Sequence, residues 1–269
     1  MDFTKELAAA RDAAATASKI IFDIGEKLTA DRHAPADIST EADRASQDAI
    51  LRRLSEEFPG DAFRAEEKTE ALAGLPQKAD RMWIIDPIDG TRGFVMKNGE
   101  YSVMIALVVG GELAVGVVAE PSHDRQVYAT RGGGCWRQEG QLRPRRVRVT
   151  TIPHLENAKL IQSHAKPGTP PSKEVAAIHP MHVIETYSAG VKLARVADGS
   201  ADLYVCDYAT LQDWDLAAGH ILVEEAGGRV TTFKGASLRY GDVSPTHIGG
   251  LIATNGHLHD LAISALAVL

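Results

Sequence analysis

The chain has 269 residues, of which 44% are apolar and 24% are charged, and its formal net charge is −7. This composition is ordinary for a globular protein with a substantial core. The negative charge argues against broad affinity for nucleic acid or for anionic membranes. Two cysteines are too few for a disulfide framework. No secretory signal pattern and no apolar run of membrane-spanning length is found, so we expect a cytoplasmic protein.

The hydrophobic pattern predicts helices and strands in both halves of the chain. Apolar residues that recur along one face predict helices over residues 4–30 and 40–57. Short apolar runs predict strands over residues 82–85, 101–109, 113–119, 126–130 and 146–149. Beyond residue 150, strands over 160–163, 201–206, 229–231 and 251–253 alternate with helices over 190–197, 216–226 and 257–268. This change predicts an α+β half over residues 1–150 and an α/β half over residues 151–269.

Residues 83–91 form the most informative segment, because an apolar run ends there in two carboxylates three residues apart. Asp86 precedes Pro87, which disfavours a helical backbone at Asp86. Gly90 then permits a sharp turn. Two acids on a rigid turn at a strand end can concentrate negative charge where a hard cation binds. On its own, such a turn is more often a solvated loop with a side-chain-to-backbone hydrogen bond.

Four segments together resemble the motifs of the inositol monophosphatase superfamily. W-I-I-D-P-I-D-G-T at positions 83–91 resembles its metal-binding signature, and the other segments occur in the family's order. They are I-S-T-E-A-D at 38–43, A-E-E at 65–67, and W-D-L-A-A-G at 214–219 followed by E-A-G-G at 225–228. The resemblance covers nearly the whole chain. It implies a layered α/β fold, alternating helix and sheet layers, with a metal-binding half over 1–150 and a substrate half over 151–269.

The resemblance implies a Mg²⁺-dependent phosphomonoesterase that binds two or three ions. The implied metal ligands are Glu66, Asp86, the backbone carbonyl of Ile88, Asp89 and Asp215. Glu66 could also be an ordinary exposed acid, and Asp215 could simply cap a helix. Ala65 and Arg64 stand where the family has Gly and an apolar residue, which leaves the loop path open. Asp213 has no implied role and is predicted to be a capping or surface residue.

Asp43, Thr91 and Glu66 are the implied catalytic residues. In the family, the residues that match Asp43 and Thr91 hydrogen-bond each other, and the threonine orients the attacking water. Asp43 also lies three residues after Thr40, which fits a helix capping box. The expected reaction is in-line attack on phosphorus. Backbone N–H groups of Gly90 and Thr91 could hold the phosphate.

Ser188, Ala189 and Lys192 are predicted to contact the substrate, because small residues at a helix start let a ligand approach the backbone. Plain helix initiation with a solvated Lys192 is equally consistent with the segment. The segment and His220 resemble bacterial 3′(2′),5′-bisphosphate nucleotidases, in which a lysine suits a second phosphate. Adenosine 3′,5′-bisphosphate is therefore the leading substrate, although the arginine that nucleotidases often have is missing from residues 204–212.

Inositol 1-phosphate and histidinol phosphate are alternative substrates. Tyr208 stands where inositol monophosphatases place a glutamate against the inositol hydroxyls, which argues against inositol phosphate. Arg92-Gly93-Phe94 fits the K/R-x-F of histidinol-phosphate phosphatases in the superfamily. A regulator that binds metal and a phosphorylated ligand without turnover is the alternative of another class, but the intact set of acids argues against it. The resemblance also implies inhibition by Li⁺.

The remaining charged groups predict no further partner. The basic run Arg143–Arg148 is interpreted as an exposed loop and edge strand, since a nucleic-acid patch would need interleaved aromatic residues. His164, His179 and His182 lack the spacing of metal ligands and are predicted to lie on the surface. The expected partner is a small phosphorylated metabolite, with no nucleic acid and no membrane. Many relatives dimerise, so a homodimer is an open expectation.

Overall fold

The computed structural model describes residues 2–35, 38–166, 168–241 and 244–267. Its helices are α1 (Thr4–Lys27), α2 (Glu41–Glu57), α3 (Glu70–Ala73), α4 (Thr91–Val95), α5 (Lys173–Ile178), α6 (Ala189–Ala197), α7 (Asp213–Glu225) and α8 (His259–Leu266). Its strands begin with β1 (Ala62–Ala65), β2 (Arg81–Asp89), β3 (Ser102–Val109), β4 (Glu112–Glu120), β5 (Arg125–Thr130), β6 (Gly134–Glu139) and β7 (Arg145–Val147). They continue with β8 (Lys159–Gln162), β9 (His182–Glu185), β10 (Leu203–Cys206), β11 (Leu211–Gln212), β12 (Arg229–Thr231), β13 (Thr246–His247) and β14 (Leu251–Thr254).

The first sheet has seven strands in the order β1 to β7. Only β1 and β2 run parallel in it, and the other neighbouring pairs are antiparallel. One face packs on α1 and α2 through a core that includes Ala13, Ile50 and Trp83. The other face packs on α6 and α7 through Ile84, Leu193 and Leu222. The sheet is therefore covered by helices on both sides.

A second sheet, ordered β12-β14-β10-β8-β9, lies against the other side of α6 and α7. Its far face packs on α5 and α8 through a separate core that includes Leu160, Ile178 and Leu258. The order of layers is thus helix, sheet, helix, sheet, helix. This confirms the layered α/β fold that the sequence predicts. No helix in the described ranges is long and apolar enough to cross a bilayer.

The observed bounds differ from the predicted ones mainly where local pattern is weak. Strand β2 continues through Asp86 to Asp89, beyond the predicted end at Ile85. Strands β1, β6 and β9 were not predicted, since each is short and carries polar residues that break the apolar pattern. β7 is an edge strand with an exposed Arg145 and Arg146, which agrees with the interpretation of the basic run. The division into residues 1–150 and 151–269 stays a prediction.

Candidate active site

A β-bulge in β2 brings two predicted metal ligands to one face of the first sheet. Alternate residues of a regular strand face opposite sides, so acids three residues apart would diverge. The register of β2 against β3 shifts between Asp86 and Asp89, and such a bulge re-aims side chains. Ile88 consequently packs with Trp83 on the α1 and α2 side, whereas Asp89 reaches the start of α6 on the other side.

A cavity of about 600 Å³ opens beside this bulge, between the end of β2 and the second half of the chain. We call it the acidic pocket. Its lining includes every predicted metal ligand together with Gly90 and Thr91, and consists of Ile38, Ser39, Glu66, Glu67, Asp86, Ile88, Asp89, Gly90, Thr91, Arg92, Ser163, His164, Tyr187, Tyr208 and Asp215. The fold thus collects acids from three separate motifs around one cavity.

The carboxylates of the acidic pocket resist ionisation in the absence of a cation. Burial raises the pKa of Asp86 well above its ordinary value, and the neighbouring Glu66 and Asp89 add to the rise. Loss of hydration also raises the pKa of Glu66 to about 8, although its side chain is exposed to the cavity. Burial raises the pKa of Asp215 to about 6. Carboxylates held together in this way are unfavourable unless protons or a cation neutralise them.

The donor set fits a hard divalent cation that keeps part of its hydration. In the part of the chain that the structure describes, no group of three or more His, Cys, Asp or Glu side chains could hold a metal ion by itself. Mg²⁺ does not require such a cage, because it retains several waters and takes only a few protein oxygens. Asp86 Oδ1 is buried without a hydrogen-bond partner. An orphaned carboxylate oxygen among other acids is the kind of atom that a cation satisfies.

Asp43 performs two structural tasks with its two oxygens. Oδ2 accepts hydrogen bonds from the Thr40 backbone N–H at 2.7 Å and from the Thr40 hydroxyl at 2.6 Å, at the start of α2. Oδ1 lies 2.9 Å from the hydroxyl of Thr91, which is also 2.9 Å from the carbonyl oxygen of Ile88. Burial raises the pKa of Asp43. The cap and the contact with Thr91, which the sequence offered as alternatives, are therefore both present.

At the start of α6, a hydroxyl and a backbone N–H group donate hydrogen bonds to Asp89. Asp89 Oδ2 accepts hydrogen bonds from the Ser188 hydroxyl and from the Gly190 backbone N–H, the latter at 2.6 Å. Lys192 is 1% exposed and donates to the Tyr187 carbonyl oxygen at 2.9 Å. Burial lowers the pKa of Lys192 to about 8. Because Lys192 is buried, its interpretation as solvated is wrong. Ser188, Ala189 and Lys192 do not line the acidic pocket. Their contact with substrate stays a prediction, and this arrangement does not support it.

The wall opposite the acids carries residues that sequence reasoning missed. His164, predicted to lie on the surface, lines the acidic pocket, with Nε2 2.6 Å from Glu100 Oε2 and its ring centroid 4.5 Å from that of Tyr187. The guanidinium of Arg92 lies 5.3 Å from the Tyr187 ring, and its buried Nε has no hydrogen-bond partner among the described residues. His164 lies two residues beyond the end of β8, and ligands often bind beyond the carboxyl ends of parallel strands. This position beyond β8 was the feature of the sequence that could have identified His164 as a pocket residue.

Two further residues lie outside the acidic pocket. His220 is buried on α7, where Nδ1 is 2.8 Å from the Tyr240 hydroxyl and Nε2 is 3.1 Å from Glu224 Oε1. Asp213 is 1% exposed and forms an ion pair with Arg64. The interpretation of Asp213 as a capping or surface residue is therefore wrong. A buried partner for Arg64 also explains why a charged residue is tolerated in β1.

Comparison with known proteins agrees with the fold and with the motifs. The model of the inositol monophosphatase family matches residues 2–268. The chain is 33% identical to a histidinol-phosphatase of Mycobacterium tuberculosis, over 84% of each chain. It is also 33% identical to a fructose-1,6-bisphosphatase/inositol-1-monophosphatase of Thermotoga maritima, over 86% of this chain and 82% of the relative.

A solved structure of an IMPase from Thermotoga maritima superposes with a TM-score of 0.81 at 29% identity, and 98% of both chains is covered. The similarity in sequence and the similarity in structure therefore extend across all the layers that form the acidic pocket. The chain belongs to the inositol monophosphatase family and is a phosphoric monoester hydrolase.

Proposed function

We propose that the chain is a Mg²⁺-dependent phosphomonoesterase whose ions bind at Glu66, Asp86, Asp89, Asp215 and the Ile88 carbonyl oxygen. The family is generally Mg²⁺-dependent. The observation that carries this proposal is Asp86, a carboxylate 2% exposed whose Oδ1 has no hydrogen-bond partner within the described residues. Three more acids surround it, so a divalent cation would remove the cost of burying these charges together. Glu66 lines the acidic pocket and would be a further ligand.

The protein's own groups would orient the reactants. When bound, Mg²⁺ stabilises negative charge on the phosphoryl oxygens and on the attacking water. The Thr91 hydroxyl, held by Asp43 Oδ1 and the Ile88 carbonyl oxygen, would fix the direction of that water. Glu66, which lines the acidic pocket, would accept a proton from it. The backbone N–H groups of Gly90 and Thr91 line the same cavity and would hold the phosphate.

The leading substrate is adenosine 3′,5′-bisphosphate. The aromatic residues Tyr187 and Tyr208, with His164, give the pocket wall flat faces on which a base could stack. The guanidinium of Arg92 makes no ion pair within the described residues and lines the same cavity. Arginine binds phosphate through several donors at once. Arg92 would therefore take the role of second-phosphate contact for which the sequence suggested Lys192.

Histidinol phosphate is the second candidate, because the relative of Mycobacterium tuberculosis carries the name of that activity. A specific observation favours it as well. Glu100 and Glu185 both approach His164, with Glu185 Oε2 3.5 Å from Nδ1. The ammonium and imidazole groups of histidinol phosphate, when protonated, would gain from these carboxylates. Of the two substrates, only the bisphosphate has a second phosphate for Arg92 to bind.

The test is phosphate release with Mg²⁺ from adenosine 3′,5′-bisphosphate, histidinol phosphate and myo-inositol 1-phosphate, each measured for the wild type and for Arg92→Gln. We expect a preference for the bisphosphate and an increase of about tenfold or more in its KM in the variant. A preference of the wild type for histidinol phosphate would select the second candidate. Failure of all three substrates to react, with Mg²⁺ binding intact, would favour a phosphomonoester outside this set or the non-catalytic regulator.

A further inference from the structure

A buried ionic contact joins the two halves of the chain close to the acidic pocket. Asp213 Oδ2 pairs with Arg64 Nη1 and also accepts from the Gly241 backbone N–H at 3.3 Å. Asp213 Oδ1 lies 2.8 Å from His247 Nε2. The Asp213 backbone N–H donates to the Pro245 carbonyl oxygen at 2.7 Å. We call Arg64, Asp213 and His247 the Asp213 clamp.

The clamp lies next to two proposed metal ligands that come from distant parts of the chain. Arg64 belongs to β1 and precedes Glu66 by two residues, whereas Asp213 begins α7 and precedes Asp215 by two residues. Asp215 Oδ2 is itself held by the Gln212 backbone N–H at 2.6 Å. Residue 64 and residue 213 are separated by 149 positions in the sequence. A change in the distance between Arg64 and Asp213 would therefore also change the distance between Glu66 and Asp215, because each clamp residue is only two positions from the metal ligand that follows it.

Net stabilisation alone is a weak reason to bury such a pair. The side chains of Arg64 and Asp213 are 15% and 1% exposed, and the cost of dehydrating both charges offsets much of their attraction. Groups that orient metal ligands, by contrast, commonly change metal affinity by about 10- to 100-fold when they are mutated. The planar guanidinium of arginine is suited to fixing a geometry of this kind.

We propose that the Asp213 clamp positions the metal centre by fixing the separation of Glu66 from Asp215. This inference rests on the proposed function, because it assumes that both acids bind the same group of ions. Arg64, Asp213 and His247 do not line the acidic pocket. They act through Glu66 and Asp215 and are positioning residues.

The chain offers a matched control in the ion pair between Arg137 and Asp198. Its side chains are 15% and 0% exposed, almost the same as those of the clamp, and the two residues do not line the acidic pocket. Asp213→Asn and Asp198→Asn therefore remove the same charge from equally buried pairs. For the full chain and both variants, binding of Mn²⁺ would be measured by calorimetry, and the unfolding midpoint by circular dichroism without metal.

We expect both variants to lower the unfolding midpoint, but only Asp213→Asn to weaken Mn²⁺ binding, by about tenfold or more. If Asp213→Asn does not fold, His247→Gln removes one clamp contact and should weaken Mn²⁺ binding in the same direction. Unchanged Mn²⁺ affinity in the folded variants, or an equal loss in Asp198→Asn, would overturn the clamp proposal. The proposed function would survive that result, since it depends on Mg²⁺-dependent phosphate release by the wild type. A wild type that binds no Mn²⁺ would overturn both.

Discussion

Replacing Asp86 with Asn should stabilise the metal-free protein and abolish its activity. Asp86 is 2% exposed, and both burial and its acidic neighbours raise its pKa well above the ordinary value. Asn has almost the same shape but carries no charge. Without metal, the substitution removes electrostatic cost from the fold. With metal, it removes a ligand.

The effects of the substitution on the free energy of unfolding without and with Mg²⁺ have comparable size and opposite sign. Replacement of a poorly compensated buried charge by a neutral group of similar volume stabilises proteins by about 1–3 kcal/mol. At this chain length, each kcal/mol shifts the unfolding midpoint by about 2–4 °C, so the metal-free variant should unfold about 2–12 °C above the wild type. Mg²⁺ at about 100 times its dissociation constant stabilises the wild type by about 2.7 kcal/mol, which is about 5–10 °C. Most of this gain should be lost in the variant.

The assay is thermal unfolding in EDTA and again in saturating Mg²⁺, together with phosphate release. Asp23→Asn is the control, because Asp23 is an exposed acid on α1 and loses the same charge. We expect Mg²⁺ to narrow or reverse the difference in unfolding midpoint between Asp86→Asn and the wild type. In the control, Mg²⁺ should raise the midpoint by as much as it does in the wild type. An Asp86→Asn protein that is less stable in EDTA, or that gains as much from Mg²⁺ as the wild type, would refute the reasoning.

Three further predictions concern the surroundings of the metal centre. Ser188→Ala should lower kcat by about 10- to 100-fold with an unchanged circular dichroism spectrum, since it removes a donor to Asp89; full activity would contradict this. Lys192→Met should leave the KM for the bisphosphate unchanged, because Lys192 donates to backbone, whereas a large rise would restore the predicted phosphate contact. The metal-free folded state binds protons more tightly at Asp215 and Glu66, with pKa values of about 6 and about 8 against ordinary values of 3.8 and 4.5. Its free energy of unfolding should therefore fall as the pH rises from about 4 to about 8, as measured by denaturant titration. Mg²⁺ should flatten this dependence, and a steeper fall with Mg²⁺ would count against the site.

Local pattern was sufficient for the main helices and strands, whereas the acids of the proposed site came from the resemblance to the family motifs. The apolar run before Asp86 and the turn residues after it predict a strand that ends in paired carboxylates, and β2 carries both. Periodicity predicts α1 and α2 because apolar residues recur every three or four positions. The bulge between Asp86 and Asp89 is not visible in that pattern. It depends on pairing with β3, and pairing is a property of two segments together.

Contacts between distant segments account for what the sequence could not predict. Lys192 looked solvated in its own helix, because nothing local indicates that the Tyr187 carbonyl oxygen and the Tyr204 ring enclose it. In the sequence, Arg64 is a departure from the family pattern, Asp213 has no implied role, and nothing relates the two. Their pairing follows only once β1 and α7 are brought together across the first sheet. Motifs therefore identified the chemistry of the site, and tertiary packing decided which residues support it.

The acids of the proposed metal centre differ in how the protein holds them. Within the described residues, protein donors reach Oδ2 of Asp89 from the start of α6 and Oδ2 of Asp215 from Gln212 at the start of α7. These bonds orient each carboxylate before any cation arrives. Asp86 differs from both, since its Oδ1 is buried without a hydrogen-bond partner in the described part of the chain. A cation is thus a structural requirement mainly of Asp86, whereas Asp89 and Asp215 are preorganised for it. This difference explains why Asp86→Asn should give the largest gain in metal-free stability, since a change at Asp89 or Asp215 also weakens an acceptor of backbone N–H groups.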